Sequence, residues 1–352
     1  MDAMRTVYFV DVKCKRPYTF ETMAEKAIGG TESTLLRVAD RLADNYQVYL
    51  VQACRKVDDI RESGMSYIGM QTAIRLAAER PPGHVILSRK IKLLKQMATD
   101  FPSAKHYLWI QDLPVSKYCR YRQDLVKYDV ELVCNSNWQR GVAEGYLSPG
   151  CWYQRLFHPF SRRQPVGVST IYNVINPAIK YEPVEIDEDK LVFFSAPRKG
   201  LKEVLACFRD VIRARPQTKL YIANPGYEAM DPEWIDHPNL VNLGSLSNAD
   251  VIRHVREAFC VFYPQAVLPE TFGVIYAEAN TVGTPVLCYD IGAASEILSN
   301  HDQVMAVSEE NVTEKLMGWY KNGRPQVRGK PDYLLDNVVE KWVDMLDRYN
   351  KE

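Results

Sequence analysis

The sequence of 352 residues lacks an excess of charge of either sign. Lys and Arg together number 44, and Asp and Glu together also number 44. A protein that binds nucleic acid through its phosphates normally carries a basic excess. We therefore expect no nucleic-acid partner.

Long apolar runs are also missing. No run approaches the roughly 20 residues that a helix needs to cross a bilayer. The apolar core of the first 20 residues is too short for a signal peptide, and the segment VYFVD within it indicates a strand. These features predict a soluble globular protein of the cytoplasm.

The cysteines and histidines show no pattern of a metal site or of a disulfide framework. The eight cysteines lie far apart without pairs such as C-x-x-C, and the six histidines are scattered. Several cysteines fall inside apolar strands, where a free thiol packs like a small hydrophobic residue. This pattern predicts reduced cysteines and no bound metal.

Strand-like runs alternate with helix-like segments along the chain. The predicted strands cover 5–11, 46–52, 84–88, 106–111, 130–136, 169–175, 190–196, 218–224, 239–244, 259–264 and 284–290. The predicted helices cover 31–44, 90–99, 137–145, 199–215, 247–258, 272–282, 294–299 and 332–349. Such alternation is typical of α/β folds with parallel sheets.

The length of the chain exceeds what one core usually reaches, which favours two domains. The segment 176–189 is rich in proline and acidic residues, so it indicates a linker. We predict two facing Rossmann-like, doubly wound α/β domains, residues 1–178 and 179–331, followed by a C-terminal segment, 332–352. Ligands of such sheets lie beyond the carboxyl ends of the strands.

Two glutamates stand in the otherwise apolar segment 262–290. Glu270 follows a predicted strand, and Glu278 falls in the second turn of the next helix. Helix rise places them roughly 10 Å apart, a spacing that suits two separate hydroxyl groups of one elongated ligand. The alternative is that Glu270 is an acid favoured by the helix dipole and that Glu278 faces solvent.

The start of that helix offers a second feature. The backbone N–H groups of Thr271, Phe272 and Gly273 precede or open the helix, where they lack partners within it. An anion or a sugar oxygen is favoured at such a position. Together with the two glutamates, this predicts a binding site.

The stretch PETFGVIYAEANTVGTPVLCYDIGAASEIL, residues 269–298, resembles the signature of the retaining family-4 glycosyltransferases, which have the GT-B fold of two Rossmann domains. The resemblance implies that Glu270 contacts the transferred sugar and that Glu278 binds the ribose of the nucleotide donor. It also implies that the first domain faces the acceptor and that the second binds the nucleotide sugar. The last helix, within 332–352, would then pack back across the first domain, with Trp342 as an anchor.

Two further segments resemble donor loops of this family. Gly29 and Gly30 in KAIGGTEST match its Gly-Gly turn, where the backbone approaches closely and a helix N-terminus attracts phosphate. This turn predicts a donor-phosphate or acceptor-side loop, and it is not the G-x-G-x-x-G of nicotinamide cofactor sites. The loop VNLGSLS resembles the loop that meets the nucleobase, around Gly244 to Leu246.

Arg198 and Lys199 resemble the Arg and the Lys-Gly pair that clamp the donor diphosphate in this family. The residues that usually separate them are missing, so the two cations are adjacent, and Lys202 is an alternative second cation. Cations stabilise the charge of the leaving diphosphate, so no divalent metal is required.

Two segments of the first domain are candidates for the acceptor side. Gln111 and Asp112 stand where related enzymes often have His-Asp; a glutamine cannot act as acid or base, so it would only hydrogen-bond the sugar. Asp112 would orient the acceptor, or else serve a cap or a turn. Residues 88–96 cluster cations, which indicates a solvated face or, alternatively, peripheral contact with a membrane that carries lipid-linked acceptors.

The sequence therefore predicts a retaining glycosyltransferase of the hexosyltransferase type without a cofactor. It would move a sugar from a UDP- or GDP-linked donor to a hydroxyl of a glycan or lipid-linked acceptor. The alternatives are a nucleotide-sugar epimerase and a catalytically silent homologue that binds nucleotide sugars. The predicted catalytic residues are Glu270, Arg198, Lys199 and Asp112, and the predicted donor-binding residues are Gly29, Gly30, Gly244, Leu246, Thr271, Phe272, Gly273 and Glu278.

Overall fold

The computed structural model describes residues 5–25, 28–148, 164–224, 231–307 and 311–349. Its contacts divide the chain into two compact units. The first consists of Met1–Glu21, Thr31–Val174 and Leu335–Glu352, and the second of Thr22–Gly30 and Ile175–Leu334. The short segment Thr22–Gly30, which the sequence division assigns to the first domain, thus groups with the second unit.

The first unit is built on a parallel sheet of seven strands. The strands are β1 (Thr6–Asp11), β2 (Gln47–Gln52), β3 (Ser66–Ile68), β4 (His84–Ser88), β5 (Lys105–Ile110), β6 (Glu131–Cys134) and β7 (Val168–Thr170). Their order in the sheet is β3-β2-β1-β4-β5-β6-β7. Every residue of β1 and β4 is buried, because helices cover both faces of a doubly wound sheet.

The α-helices described in the first unit lie between these strands in the chain, except the last, which ends the chain's described part. They are Phe20–Glu25, Gly30–Leu42, Met70–Glu79, Leu94–Asp100, Arg122–Lys127, Asn137–Leu147 and Leu335–Arg348. Phe20–Glu25 and Gly30–Leu42 each have an end in the other unit. One continuous core of the unit joins apolar side chains of the sheet to those of the helices.

The second unit has a parallel sheet of six strands. The strands are β8 (Asp187–Phe194), β9 (Lys219–Ala223), β10 (Leu240–Gly244), β11 (Ala258–Tyr263), β12 (Val286–Tyr289) and β13 (Val304–Met305), in the order β10-β9-β8-β11-β12-β13. Its described α-helices are Leu201–Ala214, Asn248–Glu257, Val274–Thr281, Ala294–Ile297 and Val312–Asn322. The predicted α/β architecture with two parallel sheets is confirmed.

Each sheet contains one point at which the strand order reverses. In the first sheet this point lies between β1 and β4, and in the second between β8 and β11. Loops that leave adjacent strands there run to opposite faces of the sheet and open a crevice, which is where ligands of such folds bind. Polar residues at these two positions are therefore the first candidates for ligand binding.

The C-terminal helix Leu335–Arg348 packs on the sheet of the first unit. Trp342 is fully buried and makes edge-to-face contacts with Trp109, at 4.9 Å between ring centroids, and with Phe9, at 6.2 Å. The predicted return of the last helix to the first domain is therefore confirmed, with Trp342 at its centre.

We expect that Trp342→Ala lowers the free energy of unfolding by about 3–5 kcal/mol, because it leaves a cavity against two aromatic rings. Urea denaturation followed by circular dichroism measures this loss. Glu340→Ala on the exposed side of the same helix is the matched control and should change stability by less than about 0.5 kcal/mol. Equal stability of both variants would show that the helix contributes nothing to the core.

Residues 88–96 do not form one amphipathic helix. The strand β4 ends at Ser88, a 3-10 turn spans Ile91–Leu93, and the helix begins at Leu94. Ile91 and Leu94 are buried in the core of the unit, while Lys92 and Lys95 are exposed. These apolar side chains of the segment are therefore packed in the core of the first unit. Over the described residues, no helix is both long and apolar enough to cross a membrane.

Candidate functional site

The carboxyl edge of the second sheet gathers ionisable and polar side chains at its strand-order reversal. Lys199 lies in the turn after β8, Tyr263 is the last residue of β11, and Glu270 lies on the loop that follows. Because β8 and β11 are neighbours in the sheet, the loops that leave their ends start side by side. The fold thus brings together residues that are separated by about 70 positions in sequence.

Glu270 and Lys199 form an ion pair at this edge. The Lys199 ammonium donates to both carboxylate oxygens, at 2.7 Å to Oε1 and 3.0 Å to Oε2. The side chain of Glu270 is only 10% exposed, and that of Lys199 is 26% exposed. An ammonium has three N–H donors, so this pair leaves Lys199 with donor capacity for an anionic ligand. The predicted catalytic residues Glu270 and Lys199 are therefore in direct contact.

Tyr263 supports the Glu270 carboxylate from the sheet. Its hydroxyl donates to Glu270 Oε1 at 2.8 Å and lies 3.1 Å from Ser195 Oγ, at the end of β8. Burial and the neighbouring Glu270 carboxylate raise the pKa of Tyr263 well above its ordinary value, so the hydroxyl stays protonated and can donate. Tyr263 was not predicted from the sequence, although a hydroxyl that ends an apolar strand at the ligand edge is a signal that indicates such a residue.

The backbone of Glu270 is held by a neighbouring loop. Its carbonyl accepts the N–H of Ala293 at 2.9 Å. At Gly292, φ is +67°, and an added Cβ would lie 2.3 Å from the same carbonyl oxygen. Only glycine allows this approach, because a Cβ would both strain the left-handed backbone and displace the Glu270 loop.

The turn that carries Lys199 is fixed in a similar way. Gly200 has a φ of +87° and precedes the helix Leu201–Ala214, and a Cβ there would lie 2.4 Å from the Gln265 side chain. Gln265 is buried and bonds both the N–H and the carbonyl of Leu268. One glutamine therefore links the Lys199 turn to the Glu270 loop.

Glu278 is buried, with 5% of its surface exposed, in the helix Val274–Thr281. A glutamate that merely faced solvent would not be buried, so the alternative interpretation of this residue is wrong. A buried carboxylate requires hydrogen-bonding partners, because an isolated charge is costly in the interior. Its burial therefore indicates a specific polar role within the second unit.

The helix that follows Glu270 begins later than predicted. Its first residue is Val274, and Gly273 precedes it with a φ of +76°. A left-handed residue ends the preceding loop, which is why the predicted start at 272 is wrong. Phe272 is buried against Tyr333, at 5.1 Å between ring centroids, so its side chain belongs to the core. Thr271 is partly exposed beside it.

The other residues predicted to bind the donor are Gly29, Gly30, Gly244 and Leu246, and Arg198 is the remaining predicted cation. Gly30 groups with the second unit, and a Cβ on it would lie 3.4 Å from Val274, at the start of the same helix. Arg198 is exposed in the turn before Lys199. Gly244, with a φ of +67°, and the partly exposed Leu246 lie at the carboxyl end of β10. Gly29 precedes Gly30 and is partly exposed.

Lys202, the alternative second cation, has a different contact. Its ammonium lies 4.5 Å from the centroid of the Trp234 ring, which is a cation–π distance. This contact is separate from the Glu270–Lys199 pair, so Lys202 serves as an internal comparison for the role of Lys199.

The first unit carries the predicted acceptor residues. Asp112 is exposed and forms an ion pair with Lys13, from the loop after β1. The amide of Gln111 exchanges hydrogen bonds with that of Asn173, at 2.9 and 2.8 Å. Gln139 donates to the carbonyl of Asp112 at 2.9 Å, so the segment after β6 helps to shape this loop.

A buried polar cluster that the sequence analysis missed lies at the strand-order reversal of the first sheet. Asp11, the last residue of β1, is fully buried and accepts from Tyr18 at 2.9 Å and from Arg89 at 3.2 Å. Arg89 also donates to Glu32 at 3.0 Å and has a φ of +66°, which is uncommon for a residue other than glycine. The rule that places ligands beyond the carboxyl ends of strands could have identified Asp11.

Among the described residues, no group of three or more histidine, cysteine, aspartate or glutamate side chains could hold a metal ion. The charged groups at the edge of the second sheet are instead a carboxylate and an ammonium that neutralise each other. This arrangement offers acceptors to hydroxyl groups and a cation to an anion.

We expect that Tyr263→Phe lowers kcat about tenfold for the sugar transfer that the sequence predicts, because the Glu270 carboxylate loses one donor and its fixed orientation. A hydrogen bond to a charged group contributes about 1.5–3 kcal/mol. Steady-state kinetics with varied donor concentration measures kcat and the KM for the donor. Tyr276→Phe is the matched control, since the hydroxyl of this buried tyrosine bonds Cys288, whereas that of Tyr263 bonds the Glu270 carboxylate. An unchanged kcat in Tyr263→Phe would contradict the role.

Comparison with known proteins identifies the second unit. Residues 179–328 match the family model described as glycosyl transferases group 1. No curated protein sequence matches the chain. The matched segment contains Lys199, Tyr263, Glu270 and Glu278, so the family domain coincides with the polar edge described above.

Solved structures resemble the whole chain. HepE of Anabaena, solved in complex with UDP and glucose, has a TM-score of 0.69 at 13% identity, and the match covers 98% of this chain and 100% of that one. Sucrose-phosphate synthase from Thermosynechococcus elongatus has a TM-score of 0.69 at 12% identity, with 98% of each chain covered. A glycosyltransferase from Rickettsia africae has a TM-score of 0.67 at 13% identity, with 99% of each chain covered.

These similarities concern the fold, because identities near 13% do not carry a function with them. The predicted GT-B fold of two Rossmann-like domains is confirmed. The prediction of a glycosyltransferase is confirmed through the group 1 domain of residues 179–328.

Proposed function

We propose that this chain, whose residues 179–328 are a group 1 glycosyl transferase domain, moves a sugar from a nucleotide-diphospho-sugar to a hydroxyl of a glycan or lipid-linked acceptor, with retention of configuration. The observation that carries the proposal is the Glu270–Lys199 ion pair at the carboxyl edge of the second sheet. It supplies a hydrogen-bond acceptor for sugar hydroxyls and a cation for the diphosphate at one position.

The donor is assigned to the second unit, residue by residue. Lys199 would contact the diphosphate, with the exposed Arg198 as a second cation. Glu270 would hold a hydroxyl of the transferred sugar, and the buried Glu278 would bind the ribose. Gly244 and Leu246 would border the nucleobase. A UDP-linked donor is our first choice, since HepE was solved with UDP and glucose, and a GDP-linked donor is the alternative.

The reaction we propose is a front-face displacement. The bond between the anomeric carbon and the diphosphate oxygen breaks, and the acceptor oxygen bonds to the same face of that carbon. The acceptor proton passes to the departing diphosphate oxygen. Lys199 stabilises the negative charge that develops there, so we expect the rate to be unchanged by EDTA. Glu270 positions the sugar, because Tyr263 and Lys199 fix its carboxylate in advance.

The acceptor is assigned to the carboxyl edge of the first sheet. Asp112 would orient the acceptor hydroxyl, and its ion pair with Lys13 fixes its loop. A lipid-linked acceptor would bring the chain to a membrane surface, where the exposed Lys92 and Lys95 would meet anionic lipid. A location in the cytoplasm stays a prediction.

Incubation of the purified protein with a panel of UDP- and GDP-sugars tests the proposal. Chromatography detects the released nucleoside diphosphate, and proton NMR at early times detects the configuration of the released sugar. We expect slow donor hydrolysis in which the first-formed sugar keeps the configuration of the donor. Inverted sugar would contradict retention, an isomeric nucleotide sugar would favour an epimerase, and binding without turnover would favour a silent homologue.

A further inference from the structure

Two of the cysteines come together in the first unit, although 40 positions separate them. Cys54 Sγ lies 2.7 Å from Cys14 Sγ. The sequence spacing predicts isolated thiols, because neither cysteine has a second cysteine near it in the chain. The structure describes both as free and partly buried.

The parallel pairing of β1 and β2 explains this approach. The last residues of the two strands, Asp11 and Gln52, are paired across the sheet. Cys14 follows Asp11 by three residues and Cys54 follows Gln52 by two, so both thiols leave the same edge together. The N–H of Ala53 donates to the carbonyl of Asp11 at 3.1 Å, and Cys14 Sγ lies 3.3 Å from the same oxygen. The contact thus follows from a backbone that the sheet fixes.

We propose that Cys14 and Cys54 form a reversible intramolecular disulfide. A covalent S–S bond is about 2.05 Å long, so bond formation moves the two sulfur atoms by less than about 1 Å. Partial burial leaves the pair open to a small oxidant while the sheet holds the two loops in place.

The oxidant would be a low-molecular-weight disulfide such as oxidised glutathione. The Cys54 thiolate attacks one sulfur of the reagent, forms a mixed disulfide and releases one thiol. Cys14 then attacks Cys54 Sγ, releases the second thiol and closes the bond. In total the protein gives up two protons and two electrons, and the reagent becomes two thiols.

The order of these steps follows from the surroundings of Cys14. Burial, together with the hydrogen bond to Cys54, raises the pKa of the Cys14 thiol to about 12. A thiol of that pKa is almost fully protonated at neutral pH and is a poor nucleophile. We therefore assign the first attack, on a reagent from solution, to Cys54. The closing step is assigned to Cys14, because the adjacent Cys54 sulfur, 2.7 Å away in the reduced protein, makes this attack intramolecular and offsets the low thiolate fraction.

The disulfide would tether the loop after β1. This loop carries Lys13, which pairs with Asp112, and Tyr18, whose hydroxyl donates to Asp11 at 2.9 Å. It borders the edge that the proposed function assigns to the acceptor, and to that extent the consequence for activity rests on that function. The disulfide itself does not depend on it.

Mass spectrometry of the full chain tests the bond without any activity assay. The protein is incubated with oxidised glutathione, remaining thiols are alkylated, and a protease that cuts before aspartate releases the peptides 11–39 and 44–57, each with one cysteine. Trypsin is unsuitable because Lys13 and Lys15 flank Cys14. We expect the two peptides to be linked as the main product and to separate after reduction with dithiothreitol.

Three variants test the separate roles of the two cysteines. Cys14→Ser should retain glutathione on Cys54, because no thiol is left to close the bond, and Cys54→Ser should give neither linked peptide nor rapid glutathionylation. Cys207→Ser is the matched control, since Cys207 is partly buried and contacts Pro264 and Tyr289 rather than a thiol; it should behave like the wild type.

The wild-type protein decides the question even if a variant does not fold. Alkylation of Cys14 and Cys54, or glutathione on either one, without a linked peptide would overturn the proposal. A linked peptide in a protein that shows no transferase activity would leave the disulfide standing and would count against the proposed function alone.

Discussion

Replacement of Glu270 by glutamine is expected to lower kcat about a hundredfold, which corresponds to about 2.7 kcal/mol in the activation barrier. The carboxylate accepts two hydrogen bonds from Lys199 and one from Tyr263. A glutamine has one oxygen acceptor, and its NH2 group would face donors that need an acceptor. The variant therefore loses both the charge that balances Lys199 and the fixed orientation that would hold the sugar.

The comparison of kcat with KM distinguishes this effect from a loss of binding. An interaction that strengthens in the transition state lowers kcat, whereas a uniform binding contact raises KM alone. Glu314→Gln is the matched control, because Glu314 is exposed at the start of another helix of the same unit. Near-normal kcat in a folded Glu270→Gln protein would contradict the role assigned to this carboxylate.

Replacement of Lys199 by methionine is expected to lower kcat/KM about a thousandfold, or about 4 kcal/mol. Methionine keeps much of the aliphatic stem but removes the cation that would stabilise the leaving diphosphate. The Kd for UDP should also rise about tenfold, because a hydrogen bond to a charged group contributes about 1.5–3 kcal/mol. Steady-state kinetics and titration calorimetry measure the two effects.

Variants of the neighbouring cations test whether the effect is specific to Lys199. Lys202 lies over the Trp234 ring, and Arg198 is exposed in the turn. We expect Lys202→Met to keep nearly full activity and Arg198→Met to lose an intermediate amount. If Lys202→Met were the more damaging change, the assignment of the diphosphate to Lys199 would be wrong. A thermal unfolding curve for each variant separates these losses from unfolding, since Lys199→Met also leaves the Glu270 carboxylate without its cation.

Much of the fold follows from hydrophobic periodicity. The run HVILS predicts a strand at 84–88, and β4 has those bounds, because an apolar run of five residues with β-branched side chains is too short for a buried helix and suits a strand covered on both faces. The helix predicted at 247–258 is observed as Asn248–Glu257, and Ser247 caps it through the N–H of Asp250. The strands β3 and β13 were not predicted, since segments of three and two residues are too short to show a period.

Only those residues of the site that lie in a recognisable sequence motif were predictable. The string around Glu270 pointed to a ligand edge, and Lys199 was selected from a second motif, but nothing in the sequence says that the two side chains meet. That contact depends on the adjacency of β8 and β11, which is a property of strand order. Gly292 was missed for a similar reason, because its contact with Glu270 depends on the adjacency of β11 and β12.

Strand order also explains two groups of contacts in the first unit that were not predicted from the sequence. Asp11, Arg89 and Glu32 converge because β1 and β4 are neighbours at the reversal. Cys14 and Cys54 converge because β1 and β2 are paired in register. Local patterns predict β1, β2 and β4, but they do not determine which strands become neighbours.

The most direct measurement of the central claim is a crystal structure of the protein with UDP bound. We predict that the diphosphate lies at the carboxyl edge of the second sheet, within hydrogen-bonding distance of Lys199, with the ribose hydroxyls on Glu278. A diphosphate bound elsewhere in the chain, or an empty edge at a UDP concentration that saturates binding in solution, would contradict the account.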